Sequence, residues 1–236
     1  MLEILHLSMR QQLFITCEHS SNVIPAEYQH LFNDSQELLK SHRGWDIGAH
    51  MIYKALCEHF RCMSLAATSS RLLVELNRST HHRQLLSELS QKLDVGQKKQ
   101  LLERFYWPYR TFLTQSMMSA AKQDFQIIHL SIHSFTPVLN NKIRNADVGL
   151  LYDPQRSLER AFALRLKENL DKNLKVRLNY PYRGYYDGLT TTLRGLFPSK
   201  TYIGLELESN QKYFNSDGRC KTDLVQQLLN GIKEVL

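Results

Sequence analysis

Short apolar runs of strand length alternate along this chain with stretches whose apolar residues recur at helical spacing. That alternation is the strongest constraint on the fold. Residues 13–17 (LFITC), 71–76 (RLLVEL), 126–132 (QIIHLSI), 148–152, 176–178 and 202–207 read as strands. Between them, residues 45–60 place Trp45, Ala49, Ile52, Tyr53, Leu56 and Phe60 on one helical face. Residues 157–171 form a further helix, and 222–236 close the chain as another. Residues 83–122 read as strongly helical, two helices parted near Asp94-Val95-Gly96, with a kink or break at Trp107-Pro108 because proline disfavours helix at the residue before it. The stretch 180–198, rich in Tyr, Gly and Arg, reads as a long loop. Such an order predicts an α/β fold: a mostly parallel central sheet flanked by helices on both faces, since each parallel crossover must travel over one face. A length of 236 residues suits one large domain with a buried core, the 83–122 segment being a helical insertion.

Composition narrows the function classes. Apolar residues at 42% and charged residues at 22% are ordinary for a globular chain and exclude disorder. No apolar run approaches the roughly 18 residues needed to span a bilayer, so no membrane role is expected. The first twelve residues, with Glu3 and His6, lack a positive segment followed by an apolar one, which predicts no export signal and a cytoplasmic location. Four cysteines show no CxxC spacing and read as reduced thiols; Cys17, at the end of a strand, is expected to point into the core. The formal charge of +7 is spread rather than concentrated, with Lys98-Lys99 and the basic residues of 156–175 on amphipathic helices. No nucleic-acid partner is therefore expected. Arginines 71, 78, 144, 183 and 194 fall at expected loops or strand ends, where a guanidinium can grip the carboxylate of a small anionic substrate in a bidentate fork.

Three segments share one design, an apolar strand giving way to metal-capable side chains: ITCEHSS (15–21), LSIHSF (130–135) and IGLELES (203–209). In α/β sheets the carboxyl ends of strands converge on one rim, so His19, His133 and the pair Glu206/Glu208 should meet in a crevice. Asp46, expected in the first turn of the 45–60 helix, would face the same rim. Two imidazoles and a carboxylate suit a catalytic zinc ion, which leaves a position for water and lowers its pKa from about 15.7 toward roughly 7. A glutamate in reach then relays the proton to the leaving amine. On the residues alone several alternatives stay open. Glu18 competes with Asp46, and His129, four before His133 and on the same strand face, competes with His133. Glu206 and Glu208 share a face, and either could be a plain salt-bridge partner. His42-Arg43 and His81-His82 read as exposed.

Five ordered motifs, TCEHSSNVIP (16–25), HRGWDIGA (42–49), SRLLVELNRS (70–79), SIHSFTP (131–137) and GLELESNQ (204–211), resemble the N-formylglutamate amidohydrolase family over most of the chain. The resemblance implies a fold related to zinc exopeptidases and cell-wall amidases (phosphorylase/hydrolase-like). It implies one zinc ion held by His19, Asp46 and His133, and hydrolysis of a linear amide, N-formyl-L-glutamate to glutamate and formate. Aligned through Asn210-Gln211 the catalytic glutamate is Glu208; aligned through Gly204 it is Glu206; the first alignment is preferred. Glu75 stands where the family usually has Asp. Arg71, Asn77 and Arg78 would bind the substrate carboxylate or support the site, with Arg144 and Arg183 as further candidates; an Arg71–Glu75 ion pair fixing the crevice wall is the alternative. The first loop, EHSSN, departs from the Pro-His-Ser-Gly type of the histidine-degrading enzymes, so another small N-acyl amino acid is an alternative substrate. The rival functions are a peptidoglycan-type amidase and a non-catalytic basic binding protein. The 83–122 segment could serve as a lid or as the surface of a homo-oligomer.

Overall fold

The computed structural model describes residues 10–236; residues 1–9, which carry most of the segment searched for an export signal, lie outside them. The described elements are β1 (Arg10–Cys17), α1 (Gln36–Lys40), α2 (Ala49–Phe60), β2 (Met63–Ala66), α3 (Val95–Leu101), α4 (Trp107–Lys122), β3 (Phe125–Phe135), β4 (Val138–Leu139) and β5 (Lys142–Ile143). They continue with β6 (Val148–Leu151), α5 (Ser157–Asn169), β7 (Val176–Leu178), α6 (Leu189–Leu196), β8 (Tyr202–Asn210) and α7 (Leu224–Lys233). Six strands form one sheet in the order β2-β1-β3-β8-β6-β7, while β4 and β5 make a separate hairpin. Every pairing in the large sheet is parallel except β6 with β8. The expected α/β architecture, a mostly parallel sheet flanked by helices in one domain, is what the chain forms.

Alternation along the strands sorts side chains between the two faces. Ile15 and Cys17 of β1, Ile128, Leu130 and Ile132 of β3, and Leu205 and Leu207 of β8 pack against α2, α5 and α7 in the larger core. On the other face Phe14, Ile127 and Tyr202 meet Tyr109, Leu113 and Met117 of α4 and Leu193 of α6. Toward the carboxyl ends of the strands this second face turns polar. Thr16, His129, Ser131, His133 and Glu208 are all buried there among one another. The site grows from that polar end of an otherwise apolar surface.

Residues 71–76 are not a strand. They run as turns, with Leu73 N–H donating to Ser70 O and Glu75 N–H to Leu85 O. The apolar density that suggested a strand comes from burial on two sides: Leu72 and Leu73 join Ile24, Phe32 and Leu39 in a third cluster, whereas Val74 and Leu76 join the α4 side. The edge strand beside β1 is β2, a segment the sequence pattern did not single out.

The helical region begins at α3 rather than at residue 83, since 84–94 are mostly turns with a short 3-10 segment at Ser90–Lys92. Asp94 starts α3 through a capping box with Gln97, its carboxylate accepting from the Gln97 N–H at 2.8 Å. The interruption falls at Leu102–Tyr106, one π-helical stretch, after which Pro108 lies in the first turn of α4 where its missing N–H costs little. The 180–198 stretch is a loop only as far as Gly188, beyond which α6 begins. Among the described residues no helix is long and apolar enough to cross a membrane.

Candidate metal centre

Chain geometry brings His19, Asp46 and His133 to one point. β1 ends at Cys17, whose buried side chain faces the core, and the next two residues turn over the sheet's polar end. His133 does not follow its strand, as the hydropathy suggested, but lies within β3, paired in register with Glu208 of β8. β3 runs on past its apolar residues because Ser131 and His133 find polar partners in Glu18 and Asp46. Asp46 is likewise not in the first turn of α2. Gly48, at φ +88°, holds a left-handed conformation that forbids helix, so α2 starts at Ala49 and Asp46 sits in the turn before it. The Asp46 N–H donates to His19 O at 2.9 Å, tying the two segments together.

The donor atoms converge closely. His19 Nδ1 and His133 Nδ1 are 3.1 Å apart, and Asp46 Oδ2 lies 3.2 Å from the first and 3.0 Å from the second. Tetrahedral ligands with bonds of about 2.0–2.1 Å sit about 3.3–3.4 Å from one another, so a small divalent ion fits this triangle. All three residues are buried and form a group that could hold a metal ion. Each imidazole is held from behind by a carboxylate: His19 Nε2 by Glu75 Oε1 at 2.5 Å, and His133 Nε2 by Glu18 Oε2 at 3.1 Å. A proton kept on Nε2 by such a partner leaves Nδ1 free to ligate.

Electrostatics follow from the crowding. Burial opposes the charged form of Glu18, but His133, Ser131 and Thr16 outweigh it and hold the carboxyl well below its usual range. Glu75 is also held low against burial by Arg71 and His19, and Asp46 by the two histidines. Burial works against a charged His133, yet Asp46 and Glu18 raise its pKa well above the ordinary value. Glu208 goes the other way. Burial first, then Asp46 and Glu206, push its carboxyl up to about 8 against the pull of the histidines. Its Oε2 is buried with no hydrogen-bond partner. Glu206 is less enclosed, and its Oε1 accepts from Thr190 Oγ1 at 2.6 Å.

A pocket of about 200 Å³ opens over this group. His19, Asp46, His133, Glu206 and Glu208 line it together with Arg71, Asn77, Arg78, Arg144 and Arg183. The arginines differ in how far they are committed. Arg71 Nη2 and Nε bind Glu75 Oε2 at 2.5 and 2.8 Å, and Nη1 reaches Asp46 Oδ1 at 3.4 Å. Asn77 Oδ1 accepts from Leu189 N–H at 2.7 Å and so fixes the start of α6. Arg78 donates to Asp187 O, and Arg183, on the exposed side, to Asn179 O. Arg144 has no carboxylate partner among the described residues; it lies over the Tyr182 ring at 4.9 Å. Arg194 is away from the pocket, on α6, where it binds Glu159 at 3.0 Å and Gly204 O at 3.2 Å.

The rival residues have other partners. His129 is fully buried between Thr16 Oγ1 at 2.9 Å and Tyr202 Oη at 2.7 Å, deeper along β3, and burial pushes its pKa down to about 4. Glu18, weighed only as a ligand, supports His133 and accepts from Tyr109 Oη at 2.9 Å. Its position two residues after Thr16 puts it on the His133 face, the signal that could have identified it. Ser131, two before His133, was visible by the same parity; it lies 2.9 Å from His133 Nε2. His42 is exposed, as expected, yet it lines the pocket mouth, where partial burial and then Arg144 and Arg43 lower its pKa.

The same architecture occurs in solved structures. The chain superposes on the gene product Atu2144 from Agrobacterium tumefaciens with a TM-score of 0.78 at 24% identity, over 96% of this chain and 92% of that one. An N-formylglutamate amidohydrolase from Ralstonia eutropha JMP134 is similar with a TM-score of 0.64 at 18% identity, over 97% and 92% of the two chains. These likenesses establish the fold. No curated protein sequence matches at a significant level. The family model of N-formylglutamate amidohydrolase, however, matches residues 11–214, most of the chain, and takes in every residue of the centre. The chain belongs to the N-formylglutamate amidohydrolase family.

Proposed function

We propose that this protein is a zinc-dependent amidohydrolase that releases the acyl group from a small anionic N-acyl amino acid of the N-formyl-L-glutamate type. Membership in an amidohydrolase family supports the reaction class. The observation that carries the reading is the triangle of His19 Nδ1, His133 Nδ1 and Asp46 Oδ2 beside the unpartnered, buried Oε2 of Glu208. A zinc ion held by the triangle would polarise the acyl carbonyl and acidify water, making a nucleophile available near neutral pH.

The remaining steps belong to the chain's own side chains. Glu75 and Glu18 keep the Nε2 protons in place, so that both imidazoles present Nδ1. Glu208 takes the proton of the attacking water and passes it to the departing nitrogen, leaving formate and the free amino acid. Its raised pKa, about 8, suits a group that must both accept and return a proton. Cationic neighbours lower such a pKa, so a bound divalent ion would bring it toward neutrality. Glu206, bonded to Thr190, is the weaker candidate for this role. Arg144, with Arg183 at the rim, pairs with the substrate carboxylate, and Arg78 completes the anion-binding wall. Arg71 holds Glu75 and Asp46 in position, and Asn77 anchors α6. The test is formate release from N-formyl-L-glutamate before and after treatment with a chelator. Activity that falls with chelation and returns with added zinc supports the proposal; chelator-indifferent turnover, or none in the zinc-loaded protein, overturns it.

A further inference from the structure

The pocket over the His19–Asp46–His133 group does not end at Arg71 and Arg78. Past them lies a second cleft of about 600 Å³, and His42, Arg71, Arg78, Leu139 and Tyr182 line both cavities, so the two are continuous. The far wall of the outer cleft comes from the turns after Glu75, including Arg83 and Glu88. Its charge is one-sided. Arg43, Arg71, Arg78 and Arg83 face only the carboxylates Glu75 and Glu88, and both are already engaged. Glu75 is held by Arg71 and His19, and Glu88 pairs with Arg43 at 2.6 Å on the rim. Arg78 and Arg83 have no carboxylate partner among the described residues.

An N-formyl amino acid needs little more than the inner pocket. The two cavities together fall within the roughly 300–1,000 Å³ range of sites that enclose much larger ligands. Uncompensated guanidinium groups in a partly enclosed cleft favour an anion there, because a carboxylate meets them with charge-assisted, often bidentate hydrogen bonds. We propose that the outer cleft is a second anion subsite, and that the substrate is an N-acyl amino acid extended by a further residue whose side chain carries another carboxylate. The orientation rests on the amidohydrolase reading above, with the scissile acyl group at the metal centre and the extension reaching toward Arg83.

Titration of the full-length protein with N-formyl-L-glutamate, N-formyl-L-glutamyl-L-glutamine and N-formyl-L-glutamyl-L-glutamate tests this, with formate recorded in the same samples. Where turnover occurs, kcat/KM replaces the dissociation constant. The diglutamate should be preferred over N-formyl-L-glutamate by about tenfold or more, the gain expected of one charge-assisted contact. It should also be preferred over the equally long glutamine compound, and the preference should shrink with added salt. Arg83 is exposed, so Arg83→Ala and Arg83→Glu do not threaten the core. Both should erode the preference, the reversal more strongly. Equal affinity for all three compounds, or a preference untouched by Arg83→Glu, overturns the subsite. Preferential binding without formate from any compound overturns the amidohydrolase reading and leaves the subsite standing.

Discussion

Replacing Glu75 by glutamine should weaken metal binding without touching a metal ligand. Glu75 is 5% exposed, and its carboxylate receives four contacts. They are His19 Nε2 at 2.5 Å, the Asn77 N–H at 2.9 Å, and Arg71 Nε and Nη2 at 2.8 and 2.5 Å. An amide of the same shape keeps one acceptor oxygen and gains an NH₂ that can only donate. Turned with its oxygen toward His19, it sets that NH₂ against the Arg71 guanidinium. Turned the other way, it donates to His19 Nε2 and drives the ring proton onto Nδ1, the atom proposed to hold the metal. Loss of a carboxylate that orients a ligating histidine costs about ten- to a hundredfold in metal affinity, or about 1.4–2.7 kcal/mol. Arg71 would retain only Asp46 at 3.4 Å, and breaking a buried pair in this way costs about 3 kcal/mol of stability. With the Arg71 side chain 28% exposed, solvent should reduce that second figure. Zinc affinity is measured by competition with a chromophoric chelator, and stability by urea unfolding of the metal-free chain. Glu75→Asp, which keeps the charge, should recover most of the stability. A folded Glu75→Gln protein with wild-type zinc affinity would refute the role given to Glu75.

Three further outcomes follow from the same geometry. Glu208→Gln should keep its zinc and lose about 10²–10⁴ in kcat, whereas Glu206→Gln should lose less; the reverse order in steady-state kinetics would move the base to Glu206. Arg144→Ala should raise KM for N-formyl-L-glutamate about tenfold with kcat little changed, and should matter less for N-formyl-L-glutamine; an unaltered KM removes Arg144 from substrate binding. His129 supplies a pH dependence of stability. Its folded pKa is depressed to about 4 from the ordinary 6.5, so the unfolded chain takes up the proton first. Its contribution is therefore complete above about pH 6.5 and is lost as pH falls toward 4. Between pH 7 and pH 5 the wild type should lose about 2 kcal/mol more than His129→Gln in urea unfolding, and parallel pH profiles would contradict it.

Which parts of the molecule could be read in advance follows from what hydropathy encodes. The cores of β1, β3 and β8 were legible because Ile15, Leu130 and Leu205 face helices and are apolar by necessity. Their ends were not. His133 and Glu208 are buried strand residues whose polarity mimics a loop; the carboxylates that meet His133, Glu18 and Asp46, lie outside the strands and far away in sequence, and Glu208 Oε2 meets no hydrogen-bond partner. Residues 71–76 failed for the opposite reason: burial on two sides produces an apolar run without any neighbouring strand. Asp46 was shifted out of α2 by the backbone of Gly48, a signal that helical periodicity does not register. Spacing alone left Glu18 and His129 as competing ligands, and the family motifs singled out Asp46 and His133. The structure then brings His19, Asp46 and His133 within hydrogen-bond distance of one another. Glu18, read from the sequence only as a rival ligand, instead supports His133 Nε2 from behind.

We propose that an ion held by His19, Asp46 and His133 makes this fold hydrolytic. The most direct test is zinc counted per chain by elemental mass spectrometry against formate release from N-formyl-L-glutamate, in the wild type, after chelation, and in His133→Ala. One zinc ion per active chain is expected, with parallel loss of zinc and activity on chelation, recovery of both with added zinc, and neither in His133→Ala. Undiminished formate release from metal-free protein, or from His133→Ala, would contradict it.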